Sequence, residues 1–270
     1  MTANGALRTN GVTAQTERTG HLKKILAAVC AAGALLLSGC SDRGYNAMAT
    51  YDFAEMDTDF IQLKAPQEGD TIAIIDTEYG EIRAVIYDEL CPDTAQAFIN
   101  HANNGDYDNK PVYGVMQDCY FLTGGFENEK GVYTGRNSDD ELVAAECTTA
   151  LWPFKGALMA FSERGGYSDA RWFMCNDDKE SLTEDAINDL KQKAMEGDED
   201  ERDNLITLFD TFYSVRGVFG LAGVYTVFGQ AYEGLDVIEQ LCAIPSEDNF
   251  RAKEDVMINS VTISQYKAEE

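Results

Sequence analysis

This 270-residue sequence has only two histidines and lacks the common spacings by which side chains carry out nucleophilic attack or bind metal ions. Beyond the first 39 residues His101 is the only histidine, and the spacing of its apolar neighbours predicts that it faces solvent on a helix. The sequence has no Gly-x-Ser-x-Gly segment, no His-x-x-x-His pair and no glycine-rich phosphate loop. We therefore do not expect a hydrolase, and we predict neither a metal ion nor a cofactor.

The stretch from Val112 to Phe126 has the strongest local pattern. Apolar and aromatic residues lie on both sides of Gln117-Asp118, and Gly124-Gly125 closes the second run. Runs of this length, rich in β-branched and aromatic residues, are typical of strands joined by a short turn. The glycine pair allows the backbone to approach a neighbour closely.

This stretch resembles the cyclophilin pattern Phe-His-Arg-Val, a turn, and then Phe-Met-Ile-Gln-Gly-Gly. Val227–Ile238 resembles the family's Val-Phe-Gly-Lys-Val-x-Glu-Gly-Met-Asp-Val-Val almost residue for residue. Gly156–Ala160 and Ala170–Met174 are similar to its Gly-x-Leu-x-Met-Ala and Ser-Gln-Phe-Phe-Ile. The motifs keep their order, and the resemblance covers roughly Asp70 to Tyr266.

The resemblance implies peptidyl-prolyl cis–trans isomerisation, which needs an apolar grip on the proline ring and a hydrogen-bond donor to the imide nitrogen. The family's arginine donor is replaced here by Gly114. Thr123 and Arg171 stand where the family has glutamines, and Tyr225 stands where it has histidine. Arg171 is thus a candidate substitute donor, with a salt bridge to a nearby carboxylate as the alternative. Arg83 and Arg164 are weaker candidates.

The resemblance also implies a groove that binds proline-containing segments. Its candidate residues are Tyr113, Phe121, Thr123, Ala160, Phe161 (or Ser162), Trp172, Phe173, Leu221 and Tyr225. Barrel core is the alternative for all the apolar ones and is favoured for Trp172, because successive residues of a strand alternate between faces. Phe121 and Phe173 are expected to share the pocket.

The expected fold is mostly β: an eight-stranded, closed antiparallel barrel with a helix over each mouth. The helices are predicted at Pro92 to Asn104 and near Leu235 to Leu241. Residues 176–217 are predicted as an inserted helical hairpin, with a capping box at Ser181-Leu-Thr-Glu184. The cyclophilin-like domain is expected to span residues 70–270.

Residues 1–39 resemble a bacterial lipoprotein signal peptide. Lys23-Lys24 precede an uncharged run, and Leu37-Ser-Gly-Cys40 resembles a lipobox. We expect lipid on Cys40, an acidic flexible tether over residues 40–69, and an extracytoplasmic protein anchored to the cell membrane through that lipid. An ordinary secretory signal and a short transmembrane helix are the alternatives, but the apolar run is shorter than the roughly 18 residues that a membrane span needs.

Removing residues 1–39 leaves 17 basic and 46 acidic residues, a net charge of −29. Such a surface repels nucleic acid, so none is expected as a partner. The five cysteines beyond Cys40 have no Cys-x-x-Cys spacing, and most are expected to be buried thiols. Two functions remain open: an isomerase, weakened at Gly114, that assists folding of exported proteins, or a non-catalytic module binding proline-containing or unfolded peptides.

Overall fold

A computed structural model describes residues 47–135, 142–161 and 166–268. Within these ranges no helix is both long enough and apolar enough to span a bilayer. The predicted lipobox, with Cys40, lies outside the described residues, as do Ser162 and Arg164. The fold is mostly β and antiparallel, as the sequence predicted.

The described residues contain thirteen strands, most of them short. They are β1 (Thr71–Thr77), β2 (Gly80–Ile86), β3 (Lys110–Pro111), β4 (Gly114–Met116), β5 (Tyr120–Gly124), β6 (Phe126–Glu127), β7 (Tyr133–Thr134), β8 (Val143–Ala144), β9 (Ala157–Ala160), β10 (Tyr167–Ser168), β11 (Arg171–Cys175), β12 (Val227–Glu233) and β13 (Met257–Gln265). Nine of them form the main sheet, in the order β3-β13-β1-β2-β12-β9-β11-β5-β4, with every neighbouring pair antiparallel.

The two edges of this sheet belong to one short piece of chain. Strand β3 pairs with β13 and strand β4 pairs with β5, and only Val112 and Tyr113 separate β3 from β4. Because Pro111 and Gly114 are three residues apart, and so lie at most about 11 Å from each other, the sheet must curl. The main sheet has nine strands where eight were predicted, because Lys110–Pro111 forms a short strand of its own before the expected strand at Val112 to Met116, which is present as Gly114–Met116.

Two of the four α-helices in the described ranges pack on the curled sheet. They are α1 (Pro92–Asn103) and the helix at Leu235–Cys242, here α4, close to their predicted positions. Pro92 occupies the first turn of α1, where a missing amide hydrogen costs nothing. The Glu146 carboxylate accepts from the amides of Asp93 and Thr94, at 3.2 and 2.8 Å, and so caps this end of the helix.

The predicted hairpin is present as α2 (Glu184–Met195) and α3 (Glu199–Val215). The expected capping box at Ser181 does not form. Instead Thr183 is the residue before α2, and its hydroxyl accepts from the amide of Ala186 at 3.2 Å. The Ser181 amide donates to Asp178, which turns the chain before the helix begins.

Two apolar cores result. The larger one fills the curled sheet, and the second lies between α2, α3 and residues 47–63, here called the amino-terminal strap. Met48 and Phe53 of the strap are fully buried, and Phe53 and Tyr51 contact the ring of Trp152. The predicted flexible tether over residues 40–69 is therefore wrong for residues 47–63, because this stretch packs on the inserted hairpin.

Candidate functional site

The site develops on one face of four neighbouring strands. Gly114 of β4 lies opposite Leu122 of β5, which lies opposite Phe173 of β11, which in turn lies opposite Met159 of β9. Residues directly opposite each other on antiparallel strands share a face of the sheet. The position of the family's arginine and the aromatic ring of Phe173 are therefore on the same surface.

Three aromatic rings gather around Phe173. Tyr120 lies 5.3 Å from it and Tyr225 also 5.3 Å, between ring centres, while Phe161 lies at 6.1 Å. Phe161 and Tyr225 stack on each other with centres 5.7 Å apart and planes 13° apart. We call these four residues the aromatic cage. Phe161 and Tyr225 are only partly buried, so the cage is open to a ligand on their side.

Tyr225 follows closely after a short 3-10 turn, Phe219–Leu221. Leu221 is buried in that turn, and its carbonyl accepts from the amide of Tyr225 at 3.5 Å. Burial raises the pKa of Tyr225 to about 12, although the nearby Arg171 guanidinium opposes the rise. The Tyr225 hydroxyl is therefore protonated at neutral pH and is able to donate a hydrogen bond.

Arg171 lies beside the cage and is paired with a carboxylate. Its Nη2 is 2.7 Å from Oδ2 of Asp169 and its Nε is 3.1 Å from Oδ1, with both side chains less than a tenth exposed. Its guanidinium carbon sits 4.8 Å from the ring centre of Phe161. The salt bridge that the sequence offered as the alternative for Arg171 is thus present.

Four of the predicted groove residues lie on the opposite face of the strands. Trp172 pairs with Thr123 and with Ala160, and its ring contacts Phe121 at 6.1 Å. The same ring packs on Phe98 of α1, which places the group in the larger core. The expectation that Phe121 and Phe173 share a pocket needs correction, because neighbouring register positions put them on different faces.

The predicted Tyr113 flanks Gly114 from the other side. It stacks on Tyr133 of β7 with ring centres 4.8 Å apart and planes 8° apart. Gly114 has an ordinary backbone conformation for any residue, and a Cβ there would lie 3.1 Å from the Cβ of Leu122. The family's arginine would therefore press on the Leu122 side chain without straining the backbone.

The remaining candidates are engaged elsewhere. Arg83 of β2 is partly exposed and pairs with Glu81 and Glu233. His101 is less exposed than expected, since only 16% of its side chain is accessible and its Nδ1 lies 2.8 Å from Asp106. Within the described ranges no set of three or more His, Cys, Asp or Glu side chains is arranged to hold a metal ion.

Sequence reasoning missed three residues of the site. Tyr120 and Leu122 alternate with Phe121 and Thr123 along β5. Which of the two pairs faces the site therefore depends only on which face of the strand points toward it. Asp169 belongs to no motif and becomes visible only through its pairing with Arg171.

Comparisons with known proteins identify the family to which this fold belongs. Residues 72–263 match the family model described as "Cyclophilin type peptidyl-prolyl cis-trans isomerase/CLD". A protein of Staphylococcus aureus (strain USA300) named "Putative peptidyl-prolyl cis-trans isomerase" is 23% identical over 207 residues, covering 75% of this chain and 96% of its own length. A protein of the same name from Staphylococcus saprophyticus is 24% identical over 210 residues, which is 76% of this chain and 98% of its own length.

Solved structures show the same fold. A cyclophilin-type peptidyl-prolyl cis-trans isomerase of Cryptosporidium parvum superposes with a TM-score of 0.53 at 15% sequence identity, covering 74% of this chain and 99% of its own. Its structure in the presence of the dipeptide Ala-Pro gives a TM-score of 0.51, covering 72% and 98%. With the family model spanning most of the chain, this protein belongs to the cyclophilin-type peptidyl-prolyl cis-trans isomerase family.

Proposed function

We propose that this chain catalyses cis–trans isomerisation of the peptide bond before proline in exported polypeptides, at a reduced rate. The observation that carries the proposal is the aromatic cage, which lies on the same strand face as Gly114. An apolar cage of this kind suits the pyrrolidine ring of proline, because the apolar ring leaves water when it enters the cage. Proline-containing segments are therefore the substrate class.

The reaction needs rotation about one amide bond, with a barrier of about 18 to 20 kcal/mol from its double-bond character. The cage can hold the ring while the rest of the peptide turns, and desolvation weakens the polar resonance form of the amide. What the chain lacks at residue 114 is a donor to the imide nitrogen as it pyramidalises. Loss of one such donor typically costs roughly 10² to 10³ in rate.

A protease-coupled isomer assay on the purified protein tests the proposal. We expect a measurable kcat/KM for a peptide containing Ala-Pro, and a strong loss for Phe173→Ala, which removes the ring at the centre of the cage. Tyr213→Ala is a matched control, because this aromatic side chain is 44% exposed on the inserted hairpin. Equal loss in both variants would refute the role of the cage.

A non-catalytic peptide-binding module is the second candidate, and the glycine at position 114 favours it. The same assay separates the two. A kcat/KM indistinguishable from buffer, together with saturable binding of the Ala-Pro peptide, would establish the binding module and exclude the isomerase.

The proposed setting is the outer face of the cell membrane, with lipid on Cys40. The support is the leader of residues 1–39, in which a basic pair and an apolar run precede Leu37-Ser-Gly-Cys40. Metabolic labelling with a radioactive fatty acid tests this directly. We expect label on the wild-type chain and none on Cys40→Ala; label on both, or on neither, would refute lipidation at Cys40.

A further inference from the structure

The ion pair between Asp169 and Arg171 is built rigidly. Besides its two contacts with the guanidinium, Oδ1 of Asp169 accepts from the backbone amide of Arg171 at 3.0 Å. Paired hydrogen bonds from one guanidinium to one carboxylate fix both distance and plane. With 5% of the Asp169 side chain and 7% of the Arg171 side chain exposed, little water competes for these bonds.

This ion pair is in direct contact with the aromatic cage. The Arg171 guanidinium lies against Phe161, and Phe161 stacks on Tyr225. The backbone supports the same arrangement, because the Phe161 amide donates to the Arg171 carbonyl and the Asp169 amide donates to the Phe161 carbonyl, both at 3.0 Å. Phe161 is thus held from its backbone and from one ring face, and its ring also contacts Phe173 and Tyr225.

A hairpin covers the ion pair. Residues 125–135 contain β6 and β7, and each end of this segment is a glycine in close contact with the pair. A Cβ at Gly135 would overlap the Asp169 carboxylate, and one at Gly125 would lie 2.8 Å from Cγ of Arg171. Only residues without side chains fit at these two positions, so the chain closes over the pair and excludes solvent.

We propose that Asp169 is a positioning residue for proline recognition: it holds Arg171 flat against Phe161 and thereby keeps Phe161 stacked on Tyr225. The inference rests on the proposed function and assigns Arg171 to supporting the cage instead of donating to the substrate. Its Nε and Nη2 are directed at Asp169, and its flat face is directed at Phe161.

A residue that only shapes the pocket contributes equally to binding of the substrate and of the transition state. Its loss therefore raises KM and leaves kcat nearly unchanged. Removal of a donor used only in the transition state would instead lower kcat. The KM-against-kcat split thus distinguishes the positioning role from the donor role that the sequence suggested for Arg171.

Asp169→Asn is the central variant, because it removes the charge and keeps the size of the side chain. We expect its KM for the Ala-Pro peptide to rise by about tenfold, as befits loss of an arginine–ring contact in a partly desolvated site, with kcat within about twofold of wild type. Asp177→Asn is the matched control: it breaks a second aspartate–arginine pair, with Arg216 at 3.0 Å, at the base of the inserted hairpin. Its KM should not change.

Arg171→Lys guards against a simple folding failure, because it leaves the carboxylate paired with a cation but removes the flat guanidinium. We expect it to raise KM in the same direction. A wild-type KM for both Asp169→Asn and Arg171→Lys would overturn the inference, as would an equal rise in Asp177→Asn. A fall in kcat at constant KM would overturn it in favour of the donor role.

A structural measurement tests the inference without relying on turnover. In a crystal structure of Asp169→Asn we expect the Phe161 and Tyr225 rings to separate from their 5.7 Å stacking, whereas Asp177→Asn should retain it. Unchanged stacking in Asp169→Asn would refute the positioning role. A wild-type protein with no isomerase activity would refute the proposed function alone, and this readout, with peptide binding, would still decide the role of Asp169.

Discussion

Gly114→Arg should raise the isomerase rate of this protein. Gly114 is two strands away from Phe173, through Leu122, which corresponds to about 10 Å at the usual spacing of neighbouring strands. An arginine at residue 114 would extend over the same strand face toward a proline ring held at Phe173. Its guanidinium would then supply the missing donor to the imide nitrogen.

The expected gain follows from the cost of losing such a donor, roughly 10² to 10³ in kcat, or about 2.7 to 4 kcal/mol in the barrier. The substitution also has a structural cost. The Cβ would approach the Cβ of Leu122 to 3.1 Å, so Leu122 must move by a few tenths of an ångström. Overpacking of this kind typically costs about 1 to 3 kcal/mol of stability.

The assay is kcat/KM for the Ala-Pro peptide, measured well below the melting temperature of each variant. Gly114→Met is the matched control, because it adds a long side chain with no donor. We expect a large gain for Gly114→Arg and none for Gly114→Met. A folded Gly114→Arg protein with the wild-type rate, or equal gains in the two variants, would refute the reasoning that a missing donor limits this enzyme.

Three further predictions concern the scaffold. Phe53→Ala should cost about 3 to 5 kcal/mol in urea unfolding by opening a cavity in the second core, with wild-type KM in the folded protein; a loss below about 1 kcal/mol would contradict the packing of the strap. Glu146→Gln should lower stability by about 1 kcal/mol in thermal unfolding, since the α1 amides lose a charged acceptor, and an unchanged melting temperature would refute this cap. Burial raises the pKa of Cys91 and of Cys119 from 9.0 to about 12. The two thiols therefore stabilise the folded state fully below pH 9, and this contribution is lost as the pH rises toward 12, because the thiols ionise first in the unfolded chain. The urea midpoint should fall between pH 9 and 11, and less in Cys91→Ala than in wild type; equal slopes would contradict this cause.

The sequence was sufficient for features that recur with a regular period or a fixed motif. The β5 segment ends in its glycine pair as expected, and Pro92 and Asn104 bracket α1 closely. Both regions have local signals, because strand alternation and helix-terminal preferences act over a few residues.

The strap was missed because its apolar residues follow neither period. Met48, Tyr51, Phe53, Met56 and Phe60 are spaced by two to four residues on an irregular backbone with two 3-10 turns. Such a segment looks like an acidic linker until its partner surface is known. That surface is the inserted hairpin, more than 100 residues later in the chain.

The site was predicted less completely than the fold, for a related reason. A shift of one position in strand parity exchanges Phe121 and Thr123 for Tyr120 and Leu122, and all four residue types suit either face. The role of Asp169 depends on the hydrogen bond that its carboxylate accepts from the Arg171 amide, two positions later in the chain. The folded strand alone sets the direction of this bond. Arg171, by contrast, was visible as an arginine in a motif position.

The packed strap also limits how far the enzyme can stand from its proposed attachment point. From a lipid on Cys40 to the first described residue, Ala47, is a step of seven residues, which extends to at most about 25 Å. The folded domain would therefore lie within one protein diameter of the bilayer. It would reach only newly exported chains that emerge within that distance. A glycine-serine insertion after Cys40 would increase this distance without altering the folded domain.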